Sequence, residues 1–403
     1  MGQPARNVAP TVTASAIAGY STRMWTLDSG VVFLNHGSFG ACPKPVLDYQ
    51  RRLREELERE PVRFLSRELQ ARLDAARAAL GAFIGADPDD LAFVSNATTG
   101  VNTVLRSLAL APGDEILVTD HAYNACRNAV NAVAATQGAR VVVAHVPFPV
   151  DGDDAVVSAI LAVTTPRTRL ALLDHVTSPT AVVFPIARLV SALAERGVET
   201  LVDGAHAPGM LPLDVRAVGA AYYTGNCHKW MCAPKGAAFL YVRRDRQASV
   251  RPLVISHGAN SPRTDRSRFR LEFDWTGTQD PTPALAVPEA IRVVGSLCPG
   301  GWPAVMKHNH ALALGARLRL GEALARTPPC PDVMIGSLAA VQLPDGTDDL
   351  QKYLFDRFAI EVPVITWPAP PTRWVRVSAH IYNREQDYER LAEALGTLLA
   401  RSS

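Results

Sequence analysis

Between residues 91 and 242, seven short apolar runs alternate with amphipathic stretches of helical length. The runs occupy 91–95, 115–119, 140–146, 169–175, 199–203, 221–224 and 237–242, and are rich in Val, Leu and Ile. They largely lack polar alternation, which is how strands covered on both faces read. The stretches between them include 101–110, 122–136, 153–163 and 187–196. Strand and helix in turn mean βαβ units. The expected fold class is therefore α/β, a mostly parallel seven-stranded sheet with helices on both sides.

The pattern changes after about residue 281. A long helical stretch at 305–326 is followed by strand candidates at 333–343, 361–365 and 374–378, and by a last helix over 385–400. This predicts a small α+β C-terminal domain over 286–403 beside a large domain over 26–285. The large domain's N-terminal segment, with one or two helices in 51–84, is expected to reach the small domain. Residues 1–25 read as a flexible extension. At 403 residues the chain can bury a large core without disulfides or metals. A hydrophobic fraction of 48% excludes disorder as its main character. A net charge of +2 argues against a dedicated nucleic-acid or membrane-surface binder.

Six scattered cysteines make no disulfide framework, and Cys227 with Cys232 lacks the second pair of a zinc site, so no metal is expected. No run approaches the ~20 apolar residues of a membrane span. The first residues lack the apolar segment of a signal peptide, so a cytoplasmic location is expected.

Ligands of open α/β sheets bind beyond the carboxyl ends of the strands. Ser95-Asn96-Ala97-Thr98-Thr99-Gly100 lies between a strand and a helix, where free N–H groups and hydroxyls suit a phosphate, or simply cap the helix. Asp203 ends an apolar strand and needs a cationic partner, either a protonated pyridine nitrogen or a structural ion pair. Lys229, one of only five lysines against 36 arginines, follows another strand between His228 and Trp230. It is either a surface lysine or, if desolvated, an imine-forming nucleophile. Arg376 lies in a strand of the small domain and could clamp a carboxylate. A phosphate cradle, a strand-end Asp and a lysine 26 residues later together describe a pyridoxal 5'-phosphate site.

The chain resembles the class V aminotransferase family of fold-type I pyridoxal-phosphate enzymes, and within it the isopenicillin N epimerase-like branch. The resemblance rests on Asn35-His36-Gly37-Ser38-Phe39-Gly40, Asn96-Ala97-Thr98, Asp203-Gly204-Ala205-His206, His228-Lys229-Trp230, Gly277-Thr278-Gln279-Asp280, Arg376-Val377-Ser378 and Tyr382-Asn383. It implies that Lys229 carries the cofactor as an imine and moves protons at the substrate Cα, with Asp203 on the pyridine nitrogen. It places His206, and Ser178 or Thr177, near the phenolic oxygen, and Tyr123 over the ring. Ala97 and Thr98 would bind the cofactor's phosphate, Asn226 could donate to it through its amide, and His228 would also bind the cofactor. Thr278 would bind the phosphate from the partner subunit of a homodimer. Asn35, His36, Arg376 and Tyr382 would bind an amino-acid substrate, Arg376 through its α-carboxylate.

The resemblance leaves the reaction among three. Reprotonation on the opposite face gives an epimerase, the first expectation; the opposing acid–base group is sought among Tyr382, His380 and His36. Loss of a β-sulfur substituent gives a cysteine S-conjugate C–S lyase, and proton return to the cofactor gives an aminotransferase. Cys330, between two prolines, lies in the wrong setting for a desulfurase nucleophile. The eight arginines of 243–270 either receive a distal carboxylate of the substrate or form a solvated face.

Overall fold

The computed structural model describes residues 24–400. The extension expected over 1–25 lies outside the described residues except for Met24 and Trp25. Trp25 is buried, with its ring edge-on to His380 and Tyr382.

Each of the seven apolar runs coincides with a strand, to within two residues at either end. They are β2 (Leu91–Val94), β3 (Glu115–Thr119), β4 (Arg140–Ala144), β5 (Thr168–Asp174), β6 (Glu199–Asp203), β7 (Tyr222–Asn226) and β8 (Ala238–Val242), preceded by the short β1 (Val32–Phe33). They form one sheet in the order β2-β8-β7-β6-β5-β3-β4, parallel except where β8 runs antiparallel to both neighbours. The absence of polar alternation has a direct cause. Leu117, Leu173, Val202 and Phe239 enter the core on one face, while Ile116, Leu172, Leu201 and Leu240 enter the core on the other. Successive side chains point to opposite faces, so a strand with two buried faces is apolar throughout. β4 departs from this pattern: Val141, Val142 and Val143 are only half-buried, because the strand lies at the sheet edge.

The chain order reverses between β3 and β5, which places a crevice at their carboxyl ends. The helix after β2, Ala97–Ser107, is capped by Asn96, whose side chain accepts the Thr99 N–H at 2.8 Å. This helix can lie close to β7 because residue 100 is glycine: a Cβ there would stand 2.2 Å from Thr224 Oγ1.

The C-terminal part contains β9 (Leu338–Gln342), β10 (Ile360–Glu361), β11 (Val364–Thr366) and β12 (Arg373–Ser378). β11, β12 and β9 make an antiparallel sheet, against which helix Gly301–Leu324 packs, and helix Glu385–Leu399 packs on that helix. β1 pairs in parallel with β10, so the N-terminal segment is tied to the C-terminal part. The run at 333–343 yields a strand only from Leu338, its start being a 3-10 turn. Among the described residues no helix is long and apolar enough to cross a membrane.

Candidate active site

The carboxyl ends of β2, β3, β5, β6 and β7 converge on one edge of the sheet, and most of the expected residues meet there. Asp203 ends β6 in register with Asp174, the last residue of β5. Both carboxyls are buried, and burial raises both pKa values. The charge of Asp203 raises Asp174 further, whereas Asp203 accepts the Ala205 N–H at 3.0 Å and the Cys126 thiol at 3.1 Å and feels the charge of Lys229. Two carboxylates side by side cannot both ionise in such surroundings. Asp174 is the more strongly raised of the two, although backbone N–H bonds oppose the shift, and Asp203, which the charge of Lys229 lowers, is the carboxyl placed to serve a cation. Sequence reasoning missed Asp174 and Cys126. The available signal was two successive apolar runs each with an aspartate at or next to its end.

Lys229 stands three residues past β7, in a turn where the N–H groups of Cys227 and His228 share the Ala237 carbonyl. Gly40 packs against this turn with φ +72, and a Cβ there would lie 2.0 Å from the His228 carbonyl oxygen. The Lys229 pKa is lowered to about 8, first by burial and then by the charge of Arg376, against the opposing charge of Asp203. Its Nζ is 3.3 Å from His206 Nε2. Burial, and after it the charge of Lys229, pushes His206 well below the usual histidine range, so its ring is neutral.

At the helix end, Ala97 and Asn226 are bonded to each other: Asn226 Oδ1 accepts the Ala97 N–H at 2.8 Å. Ala97 thus has no N–H left for a phosphate, a correction to the expected cradle. The Asn226 NH₂ remains as a donor. The Thr98 N–H and hydroxyl form no hydrogen bond among the described residues. His228 donates Nδ1–H to the Ala237 carbonyl at 2.9 Å, leaving Nε2 as the free end. Tyr123, past β3, is the N-cap residue of helix Asn124–Gln137 and is 45% exposed. Thr177 is bonded to Thr180 and Val182 within its own loop, so of the two candidates Ser178 is the one that reaches Arg376. Thr278 is exposed on the chain's own surface and is not brought to the other residues.

Arg376, in the middle of β12, is 4% exposed. Its guanidinium donates to the Ser178 carbonyl, to Ser178 Oγ at 3.1 Å and to Ser38 Oγ at 3.3 Å, and Nε has no partner. The other buried arginines, Arg77, Arg270, Arg317 and Arg373, each pair with an aspartate. Arg376 pairs with no acid among the described residues, and burial lowers it to about 10. A buried cation lacking a counter-charge is costly unless an anion completes it. Asn35 supports this group from behind: it accepts the Ser38 hydroxyl at 2.5 Å and donates to Glu361 at 3.0 Å.

Two expectations are not matched by the contacts. His36 and Tyr382 bond to each other and to the turn of Lys229. His36 Nε2–H donates to the Lys229 carbonyl at 3.1 Å, and its Nδ1 accepts the Tyr382 hydroxyl at 2.7 Å. Both are buried, and burial lowers the His36 pKa to about 3. His380 is buried too, stacked on His36 at 4.2 Å and 3.4 Å from the Cys232 sulfur. His36, His380 and Cys232 form a compact cluster, but the two imidazoles are stacked at 23°, so their in-plane lone pairs run side by side rather than converging on an ion. The arginine-rich segment is likewise not free to receive a carboxylate. Arg243, Arg244, Arg246, Arg251, Arg263, Arg266, Arg268 and Arg270 are each paired with an Asp or Glu.

Pyridoxal 5'-phosphate matches this donor set. Asp203 offers a buried carboxylate to the ring nitrogen, Lys229 a desolvated amine to the aldehyde, and Thr98 unbonded donors at a helix N-terminus to the phosphate. Fold and site together define a fold-type I pyridoxal-phosphate enzyme. The chain belongs to the class V aminotransferase family, whose profile matches residues 42–391. It is similar to an isopenicillin N epimerase of Amycolatopsis lactamdurans, at 41% identity over 93% of this chain and 96% of the relative. It is also similar to a putative L-cysteine desulfhydrase of Oryza sativa subsp. japonica, at 33% identity over 93% and 84%. Among solved structures it is similar to C-DES with glycine covalently linked to its PLP cofactor, with a TM-score of 0.76 and 23% identity over 91% and 97%.

Proposed function

We propose that the protein acts on the Cα–H bond of an α-amino acid, as an epimerase of the isopenicillin N epimerase kind. The carrying observation is the buried, acid-free Arg376 beside Lys229. It fits a substrate α-carboxylate and would hold Cα at the lysine amine. The bound cofactor supplies an electron sink for the charge that develops at Cα. Lys229 takes the Cα proton, and its low pKa suits that task near neutral pH. Asp203 would hold the ring nitrogen in its protonated form, His206 and Ser178 would serve the phenolic oxygen, and Tyr123 would stack on the ring. Thr98 and the Asn226 NH₂ would donate to the phosphate, with His228 beside them.

The large domain is assigned to residues 26–285 and the small one to 286–403. We further infer a homodimer in which Thr278 reaches the partner's phosphate. Its exposure on its own chain supports this, as do the exposed Leu253, Val254 and Ile255. The six free cysteines suit the reducing cytoplasm.

A specific observation keeps a second reading, C–S β-elimination from an S-substituted cysteine. His36, His380 and Tyr382 are all engaged by neighbouring groups, and elimination needs only the one base, Lys229. Incubation with amino acids in deuterated water separates the two. Deuterium at Cα with inverted configuration supports the epimerase; pyruvate and ammonia from S-substituted cysteines support the lyase. Formation of a keto acid from the substrate without either would overturn both in favour of transamination.

A further inference from the structure

Trp230 follows Lys229 directly, and its indole Nε1–H donates to His206 Nδ1 at 3.3 Å, with both side chains buried. An indole N–H can only donate. Nδ1 must therefore be the unprotonated nitrogen of His206, and a neutral ring then carries its proton on Nε2. That nitrogen is 3.3 Å from Lys229 Nζ. The opposite tautomer would set Nδ1–H against the indole N–H, two donors face to face. We propose that Trp230 is a positioning residue that locks His206 as the Nε2–H tautomer, making it a one-way donor that holds Lys229 as the free amine.

The indole is well placed for this. It lies 4.9 Å from the His36 ring and 6.2 Å from the His380 ring, and packs in an apolar cluster with Val176, Met210 and Leu338. The same turn thus delivers both the reacting amine and the group that sets its hydrogen-bond partner. An ammonium at Lys229 would present a donor to the Nε2–H donor, whereas the free amine accepts it through its lone pair. The other charged and titratable groups facing Lys229 are Arg376, Asp203 and Cys126, with His36 and His228 beyond. None of them bonds His206 Nδ1, so among the described residues Trp230 decides the tautomer.

The inference rests on Lys229 as the reacting amine, but its test does not need the reaction. The full chain, stripped of cofactor and ¹⁵N-labelled at histidine, is examined by NMR, with the His206 signals assigned by their loss in H206Q. The expected result is an unprotonated Nδ1 and a protonated Nε2, with W230F giving a mixture of tautomers. Replacing Trp230 by 3-benzothienylalanine keeps the ring shape and removes only the N–H, so it serves where W230F fails to fold. In either variant the protonation midpoint of Lys229, read from the pH dependence of its reductive methylation, rises toward the ordinary lysine value. A protonated Nδ1 in the unaltered chain, or an unchanged tautomer and midpoint in both variants, overturns the proposal. Failure of the epimerase reading leaves these signals as they are, so the two outcomes are distinguishable.

Discussion

Arg376 and Lys229 are two cations that share one buried space, and the arginine's charge adds to burial in bringing the lysine to about 8. Arg376 comes from β12 and Lys229 from the turn after β7, so the pair exists only because the antiparallel sheet is seated over the carboxyl edge of the larger one. Asp203 opposes the shift, yet burial and Arg376 together outweigh it. The result is a nucleophile half in its reactive form at mildly alkaline pH.

Cofactor loading follows from that value. A free amine is needed to condense with an aldehyde, so the reconstitution rate of the cofactor-free protein should rise with pH through about 8 and level off above it. R376Q removes a positive charge and moves the midpoint upward. Stopped-flow absorbance across a pH series reads both. A midpoint unchanged in R376Q would sink the electrostatic link between the two residues.

The same shift has a stability consequence. Lys229 is depressed from 10.5 to about 8 on folding, so between these values the unfolded chain binds the extra proton and stability rises with pH. Below about 8 the cost of burying the charge is fully present. In K229M that contribution to the slope disappears, which urea unfolding of the cofactor-free proteins at pH 8 and pH 10 would reveal as a smaller difference.

Arg376 is expected to supply a charge-assisted, two-point contact to the substrate carboxylate. Such contacts are worth about 1.5–3 kcal/mol, so R376Q should lower kcat/KM by roughly 10- to 150-fold. Most of the loss should fall on KM for amino acids, with cofactor affinity little changed. An R376Q protein with an unaltered KM would show that the carboxylate binds elsewhere.

Tyr382 separates positioning from acid–base chemistry. Y382F strips the hydroxyl from His36 Nδ1 and leaves a buried acceptor unpaired, at a stability cost of about 1–3 kcal/mol. As the Tyr382 hydroxyl is bonded to His36, kcat should fall by less than about tenfold, against the 10²–10⁴-fold loss typical of a general acid. Thermal unfolding and turnover measured on the same preparation decide between them.

Gly40 tests the turn that carries Lys229. G40A combines a left-handed φ with a Cβ 2.0 Å from the His228 carbonyl oxygen. A shift of this backbone should cost at least about 1–3 kcal/mol, seen as a fall in Tm, and should slow cofactor loading as well. A variant with unchanged Tm and loading would show that the turn yields freely.

Much of the site was legible before any tertiary structure. Asp203 and Lys229 follow apolar runs at the strand ends, and Ser95 to Gly100 bridges a strand and a helix, so local order alone brings them to one edge. What stayed hidden were partners remote in sequence. Asp174 next to Asp203 depends on which strands are neighbours. The pairing of Asn226 with Ala97 spans 129 residues and removes an N–H that the motif by itself offers to phosphate.

The alternation of apolar runs determined the α/β sheet, because period and burial are properties of contiguous residues, and the strand-end motifs determined the cofactor chemistry. Tertiary structure decided how charge and hydrogen bonds are shared out. All eight arginines of one segment are paired with acids, five of them with acids from other elements, while Arg376 is left without one among the described residues. His36 and Tyr382, 346 residues apart, bond to each other, and His36 holds the carbonyl of Lys229. Coulomb forces and hydrogen bonds act through space over a few ångströms, and only the folded chain specifies which side chains come that close.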